Sequence, residues 1–152
     1  MKSDSQLPIP PPVLAAVLII AAGILASLVP LPAMSIPMHR MIGILFIALG
    51  VGVAGLAFAT FKRAGTPVRP GANPTQFVIS GPYRITRNPM YLGLLLFVVG
   101  CFFVTASPYF LVPPVLFFWM INSRQIPFEE RLLVDRFGET YVAYCKRVRR
   151  WL

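Results

Sequence analysis

The chain has 152 residues; 57% are hydrophobic, only 12% are charged, and the formal net charge is +9. A soluble domain carries roughly 25% charged residues, so the composition excludes an ordinary soluble protein and indicates a single domain surrounded mostly by lipid. The basic residues cluster between apolar runs, as on the cytoplasmic side of membrane proteins. A nucleic-acid partner is not expected, because such a binder spreads its positive charge over a soluble face.

Neither a metal site nor a disulfide is expected. His39 is the single histidine, which excludes a multi-histidine metal site, and its position beside Arg40 predicts a helix end facing water. Cys101 lies inside an apolar run and Cys145 lies in the basic C-terminal part. Neither belongs to a CxxC or metal-ligand cluster, so two free thiols are expected.

Four apolar segments predict an all-α membrane fold with about four transmembrane helices. The expected spans are residues 13–29, 41–61, 90–106 and 108–121. A signal peptide is the alternative for the first segment, but prolines rather than a charged region precede it and no A-x-A cleavage site follows. The fourth segment is interrupted by Pro113 and Pro114, which predict a kink or a tilt and leave open whether it crosses fully.

The basic residues predict the orientation of these spans. Residues 62–89 hold five basic residues and no acidic one, and the C-terminal tail holds seven more, whereas residues 30–40 carry only Arg40. By the positive-inside rule, residues 62–89 and the tail face the cytoplasm. The spans then form two hairpins with both termini inside, which fits an inner (cell) membrane protein.

Small residues recur along two of the spans. Ala48, Gly52, Gly55 and Ala59 follow one another at helical spacing in span two, and this pattern predicts a close helix–helix contact. Gly93 and Gly100 lie seven residues apart on one face of span three. Packing is the favoured explanation for these glycines, although Gly93, one turn inside the helix, equally suits a backbone that approaches a ligand.

The tail, residues 124–150, alternates charged and apolar residues with the spacing of amphipathic helices. Gly138 is expected to end one short helix and to let the next begin. The basic residues near the end suit contact with anionic lipid. Such a surface role does not explain why Glu129 and Glu130 lie together close to the end of span four.

The stretch GPYRITRNPMYLG, residues 81–93, precedes span three. Asn88 is a good N-cap and Pro89 suits the first helical position, so the stretch can be explained as a capped helix entrance with interfacial tyrosines. The same entrance exposes free N–H groups and the positive end of the helix dipole, which attract a carboxylate. Arg84 and Arg87 add positive charge, and the acidic pair from the tail would supply acceptors for a zwitterionic ligand.

These motifs resemble those of the membrane methyltransferases of the isoprenylcysteine carboxyl methyltransferase and phospholipid methyltransferase superfamily. The family pattern has Gly-x-Tyr, then Arg-His-Pro-x-Tyr-x-Gly, a hairpin, a Glu-Glu pair and Phe-Gly-Glu-x-Tyr. Here the matching stretches are GPY at residues 81–83, RNPMYLG at 87–93, EE at 129–130 and FGETY at 137–141. The resemblance covers residues 75 to 150, about half the chain.

The resemblance implies an S-adenosylmethionine-dependent methyltransferase with a cytoplasmic cofactor and a lipid-like acceptor from the bilayer. It implies catalytic roles for Arg87 and Glu130 and a substrate contact for Arg124, for which a cap on span four is the alternative. The cofactor-binding residues that it implies are Gln76, Phe77, Val78, Tyr83, Asn88, Pro89, Met90, Tyr91, Gly93 and Glu129.

Asn88 stands where the family has a histidine. Asparagine keeps a donor and an acceptor but cannot act as a base near neutral pH. This favours a carboxylate acceptor, which is already ionised; an amine acceptor would need Glu129 or Glu130 as the base. A sterol-reductase-like enzyme that binds a nicotinamide cofactor and a non-enzymatic membrane partner protein are the alternatives, and the oligomeric state stays open.

Overall fold

The computed structural model describes residues 7–65 and 77–152, and all regular structure in these ranges is helical, as predicted. The α-helices are α1 (Pro11–Leu28), α2 (His39–Arg63), α3 (Pro89–Thr105), α4 (Val112–Met120), α5 (Ile126–Phe137) and α6 (Glu139–Arg147). Short 3-10 turns cover Gly81–Arg84 and Pro108–Leu111, and a π-helical turn, Ile121–Gln125, joins α4 to α5.

Two helices are long and apolar enough to cross a membrane. They are α1, with 18 residues, and α2, with 25 residues; at 1.5 Å per residue they are about 27 and 38 Å long. Both direct apolar side chains outward: Ile20 is 59% exposed and Ile44 is 63% exposed. Because α3 has 17 residues and α4 only nine, the four-span topology and its orientation stay predictions.

Helices α2 and α3 touch backbone to backbone through four glycines. A Cβ atom on Gly50 would lie 2.5 Å from the carbonyl oxygen of Gly93, and one on Gly93 would lie 2.6 Å from that of Gly50. Gly43 and Gly100 form a second such contact one heptad away, with each Cβ only 2.8 Å from the other carbonyl oxygen. The shared face of Gly93 and Gly100 is therefore confirmed as a packing face.

The predicted contact face of span two is wrong. Nothing lies within 4 Å of a Cβ built on Gly52 or on Gly55. Gly52 is two residues, about 200° around the helix, from Gly50, so the two glycines point to opposite sides. The helix uses the heptad-spaced residues Gly43, Gly50 and Ala57, all of which are buried.

Helix α1 packs mainly against α4, α3 and the turn Pro108–Leu111, and far less against its sequence neighbour α2. Its buried face carries Leu14 and Ala15, which join Val98 of α3 and Phe117 of α4 in one apolar cluster. The contacts therefore cross between the two predicted hairpins, with α2 on α3 and α1 on α4.

The fourth apolar segment and the first part of the tail form one continuous helical path from α4 through α5. Pro113 and Pro114 lie in the first turn of α4, where an absent N–H leaves no bond unmade, so they start the helix and do not break it. Pro127 lies inside the path and cannot donate to the carbonyl four residues earlier. The π-helical turn just before it, closed by a bond from Ile126 N to Ile121 O, accommodates this proline.

Gly138 separates α5 from α6 as predicted; its φ of +52° lies in a region that glycine enters without strain. After α6 the chain turns extended, and Arg149 pairs with Thr86 in an isolated parallel bridge. His39 begins α2 as predicted, but it is half-buried and does not simply face water. Its Nδ1 donates to the Phe103 carbonyl oxygen, 3.0 Å away.

Candidate active site

A cavity of about 710 Å³ lies between α2, α3, α5, α6 and the segment that leads into α3. This volume is in the range of small-molecule sites, roughly 300–1,000 Å³. Eleven of the thirteen residues predicted as site residues line it: Phe77, Val78, Tyr83, Arg87, Asn88, Pro89, Met90, Tyr91, Gly93, Glu129 and Glu130.

The two remaining predicted site residues do not contribute to this lining. Gln76 lies outside the described residues, so the structure carries no information on its place. Arg124 is exposed and is not among the residues that line the cavity. Arg84, predicted to add charge at the entrance, is also exposed and away from the lining.

Asn88 and Pro89 begin α3 where predicted, but the side chain of Asn88 does not cap the helix. Its Nδ2 donates to the carbonyl oxygen of Arg150 at 2.9 Å. The Thr86 hydroxyl donates to the same carbonyl at 3.1 Å and accepts from the Asn88 N–H at 3.2 Å. Asn88 therefore ties the start of α3 to the C-terminal segment. The substitution of asparagine for the family's histidine did not by itself predict this contact.

Glu129 receives two hydrogen bonds on one oxygen. The Tyr91 hydroxyl donates to Oε1 at 2.6 Å, and Nε2 of Gln125 donates to the same atom at 2.8 Å. Oε2 has no hydrogen-bond donor within residues 7–65 and 77–152, and Glu129 lines the cavity. Two donors thus hold Oε1 of the carboxylate, and Oε2 is left for a ligand.

Glu130 has a different environment, although it is the next residue. It forms a bidentate ion pair with Arg150, whose Nη2 is 2.5 Å from Oε2 and whose Nε is 3.2 Å from Oε1. Arg87 Nη1 lies 3.1 Å from the same Oε1 and also donates to Cys145 Sγ. The acidic pair therefore divides into one glutamate bonded to neutral donors and one bonded to two arginines.

Arg87 keeps a donor without a partner. Its Nε is buried and makes no hydrogen bond to the part of the chain that the structure describes. Burial lowers the pKa of Arg87, but Glu130 and smaller interactions with Cys145 and Tyr141 raise it more, so the net pKa is raised and the guanidinium stays charged. Arg87 lines the cavity, and its positive charge suits an anionic ligand group there.

Burial also raises the pKa values of other groups that line the cavity. It raises the pKa of Glu129, against the opposing effect of the hydrogen bonds from Tyr91 and Gln125. It raises the pKa of Tyr144 to about 12 and that of Tyr83 further. The tyrosines therefore stay protonated near neutral pH, and the Tyr144 hydroxyl donates to the carbonyl oxygen of Tyr83 at 2.7 Å.

The cavity also has an apolar part, which includes exposed residues of α2. Val51 and Phe58 of α2 line it and are 58% and 50% exposed. Leu94 and Phe97 of α3 add further apolar lining. One cavity thus joins a charged end, near the start of α3, to an apolar groove on a surface suited to lipid.

Two important site residues escaped the sequence analysis. Gln125 had a local signal, because a glutamine four residues before Glu129 lies on the same helical face and can bond to it. Arg150 had no local signal, since its partner Glu130 is 20 residues away and its carbonyl meets Asn88 across 62 residues. Only the return of the chain after α6 brings Arg150 to the site.

The family model described as phospholipid methyltransferase matches residues 38–140. Among curated proteins, the chain is 31% identical over 109 residues to a probable protein-S-isoprenylcysteine O-methyltransferase of Oryza sativa subsp. indica, covering 70% of this chain and 57% of that protein. It is 34% identical over 73 residues to protein-S-isoprenylcysteine O-methyltransferase B of Arabidopsis thaliana, covering 48% and 37%.

A mouse Delta(14)-sterol reductase is 30% identical over 89 residues, covering 56% of this chain and 21% of that protein. The chain thus spans a little over half the length, or less, of these curated relatives. No solved structure matches the chain significantly.

Proposed function

Because the chain belongs to the phospholipid methyltransferase family, we propose that it is an S-adenosylmethionine-dependent methyltransferase. The proposed acceptor is the carboxylate of an isoprenylcysteine or a similar lipid-like molecule, as the names of the Oryza and Arabidopsis relatives suggest. The observation that carries the proposal is the cavity itself, in which Arg87 and Glu129 lie at one end and an apolar groove at the other.

The charged end of the cavity fits the functional groups of S-adenosylmethionine. The positive charge of Arg87 suits a carboxylate, and Oε2 of Glu129 suits an ammonium group or a ribose hydroxyl. Phe77, Tyr83 and Tyr144 add aromatic walls against which an adenine ring can pack. When bound, the cofactor supplies an electrophilic methyl group on its sulfonium.

The apolar end fits the chain of a lipid-like acceptor. Val51, Phe58, Leu94 and Phe97 offer apolar contact, and the exposed side chains of α2 let an acceptor enter sideways from the bilayer. Such entry keeps the acceptor's hydrocarbon out of water while its polar head reaches the charged end. The proposed setting is the cytoplasmic face of a cell membrane.

A carboxylate acceptor needs no base, because it is already ionised at neutral pH. The residues of the site then act by positioning the reacting groups and excluding water. Arg87 is proposed to hold a carboxylate, and Glu130 keeps Arg87 in place through its ion pair. For an amine acceptor a glutamate would have to take a proton. Both oxygens of Glu130 already accept bonds from arginine, which leaves Oε2 of Glu129 as the candidate base.

Calorimetry in detergent tests the proposal with S-adenosylmethionine as the ligand. The wild type is expected to bind it, and Glu129→Ala and Tyr91→Ala are expected to abolish binding. Transfer of a labelled methyl group to a prenylated cysteine with a free carboxylate then tests the acceptor. Labelling of an aminolipid, with no labelling of the prenylated cysteine, would show instead that the acceptor is an amine.

The reductase is a second candidate because of the similarity to the mouse sterol reductase. Calorimetry with NADPH separates the two: binding of NADPH without binding of S-adenosylmethionine would overturn the methyltransferase proposal. A non-enzymatic partner protein would bind neither ligand and would tolerate Arg87, Tyr91 and Glu129 substitutions.

A further inference from the structure

Gln125 is a fully buried polar residue next to the site, with no role yet assigned. It ends the π-helical turn Ile121–Gln125 and has no exposed surface. Its chain neighbour Ile126 and the first residue of the turn, Ile121, are also fully buried. A polar side chain is retained in such surroundings only when its donors and acceptors are used.

Both ends of the Gln125 amide are used, and each end has a different kind of partner. Oε1 accepts from the backbone N–H of Leu7 at 3.3 Å, and Nε2 donates to Oε1 of Glu129 at 2.8 Å. A backbone N–H can only donate and an ionised carboxylate can only accept. The two partners therefore permit one orientation of the amide.

The bond from Gln125 meets a second bond on the same carboxylate oxygen. Tyr91, on α3, donates to Oε1 of Glu129 at 2.6 Å, while Gln125 approaches along the helical path that carries Glu129 itself. Two donors from different elements fix the rotation of the carboxylate. We propose that Gln125 is a positioning residue that holds Oε1 of Glu129 in the protein interior and so presents Oε2 to a cationic group in the cavity.

The amide suits this role better than a charged side chain. An arginine or lysine that bonded to Glu129 would neutralise its charge, as Arg87 and Arg150 do for Glu130. Gln125 donates without adding charge, so Glu129 keeps its full negative charge for the ligand. Glu129 is thus suited to a ligand, whereas its neighbour Glu130 is paired with two arginines of the protein itself.

This role rests on the proposed function, because a presented carboxylate matters only if a ligand with a cationic or hydroxyl group binds there. It also has a consequence in the ligand-free protein. The groups that act on the pKa of Glu129 are Tyr91 of α3, Gln125, and Glu130 of α5; Tyr83, before α3, also interacts with it. Removing the Gln125 donor is expected to raise the pKa of Glu129 further, since that hydrogen bond favours the ionised form.

The chain has three glutamates, Glu129, Glu130 and Glu139, so carboxyl-labelled glutamate gives three signals in a carbon NMR titration. Glu129→Gln assigns the signal of interest. In Gln125→Met, which keeps the length of the side chain, the Glu129 signal is expected to titrate about one pH unit higher. The Glu139 signal is expected to stay unchanged. Gln125→Asn, one methylene too short to reach Glu129 but still polar, is expected to give the same shift.

The matched control is Ser123→Ala in the same π-helical turn, because the Ser123 hydroxyl bonds only to the Trp119 carbonyl among the described residues. It is expected to leave the Glu129 titration at its wild-type midpoint. Calorimetry is the second measurement: Gln125→Met is expected to bind S-adenosylmethionine about tenfold more weakly at neutral pH, while Ser123→Ala binds as the wild type does.

The outcomes separate the two ideas. A shifted Glu129 titration in a protein that binds no S-adenosylmethionine would support the positioning of Glu129 and overturn the proposed cofactor. Tight binding by the wild type, with an unchanged Glu129 titration and affinity in both Gln125 variants, would overturn the positioning role and leave the proposed function standing. Equal shifts in Ser123→Ala would assign the effect to the turn as a whole and likewise overturn the role of Gln125.

Discussion

Tyr91 and Glu129 are 38 residues apart in the sequence, and their side chains meet across 2.6 Å between α3 and α5. The bond joins the first turn of an apolar helix to the amphipathic part of the chain. It also places a protonated hydroxyl and a buried carboxylate in the wall of one cavity. The motifs around residues 91 and 129, which are separate in the sequence, therefore line one cavity.

Tyr91→Phe removes the hydroxyl and keeps the ring. A hydrogen bond to a charged group contributes about 1.5–3 kcal/mol to the stability of the folded protein. Without it the Glu129 carboxylate loses one of the two bonds that orient it, so the affinity for S-adenosylmethionine is expected to fall roughly tenfold. Calorimetry in detergent measures the change. Tyr109→Phe is the matched control, because Tyr109 bonds to the Val29 carbonyl away from the cavity; an equal loss in both variants would refute a specific role for the Tyr91 hydroxyl.

Gly50→Ala tests the close contact of α2 and α3. The added Cβ would lie 2.5 Å from the Gly93 carbonyl oxygen, a backbone atom that cannot move alone. Overpacking of this kind destabilises by about 1–3 kcal/mol, which a lower midpoint of thermal unfolding in detergent would report. Gly52→Ala is the control, since nothing lies within 4 Å of its Cβ; similar midpoints for the two variants would contradict the packing described here.

Glu130→Gln removes the charge that binds Arg87 and Arg150. Breaking one side of a buried ion pair costs about 3–5 kcal/mol, and the lower end is expected because Arg150 is 33% exposed. Denaturant unfolding measures the loss. Glu139→Gln, at the exposed first position of α6, is expected to change the stability little, and equal losses would show that the ion pairs of Glu130 contribute nothing special.

The raised pKa of Glu129 predicts opposite pH trends for stability and for binding. The folded protein binds a proton at Glu129 at a higher pH than the unfolded chain, whose glutamate has an ordinary value near 4.5. This contribution to stability is therefore present at low pH and lost as the pH rises through the folded-state pKa. Binding of a cationic group needs the ionised form, so affinity is expected to fall as the pH is lowered through the same pKa.

Thermal unfolding and calorimetry over a pH series measure both trends. Glu129→Gln cannot titrate at this position and is expected to remove the contribution of Glu129 from the stability profile. A wild-type binding profile with its midpoint at or below that of an ordinary glutamate would contradict the prediction.

The features that were predicted correctly have local causes. Pro89 at a helix start, the break at Gly138 and the apolar runs of α1 to α3 each follow from the conformational or hydrophobic preference of a few neighbouring residues. The family motifs pointed to residues that line one cavity, and motif residues from two distant places in the sequence lie together there; their roles in binding and catalysis stay predictions.

The features that were missed depend on a partner elsewhere in the chain. Gly50 and Gly52 are equivalent as small residues, and only the position of Gly93 decides which one packs. The Asn88 side chain suits a helix cap, yet it makes no cap bond, and its Nδ2 donates to the Arg150 carbonyl oxygen. A local helix preference cannot reveal a partner 62 residues away. The π-helical turn before Pro127, by contrast, could have been predicted from the proline alone.

The bridge between Thr86 and Arg149 can form only late in the synthesis of the protein, because its two residues lie far apart in the sequence. The ribosome completes residues 86–88 some 60 residues before it reaches their partners. Helices α3 and α4 are therefore made, and in the proposed topology inserted into the bilayer, while the start of α3 still lacks Arg150. Glu130 and Asn88 acquire their Arg150 partner only after translation of the segment beyond α6, so a stalled or shortened nascent chain would hold the cavity-lining side chains without the contacts that tie the start of α3 to the C-terminal segment.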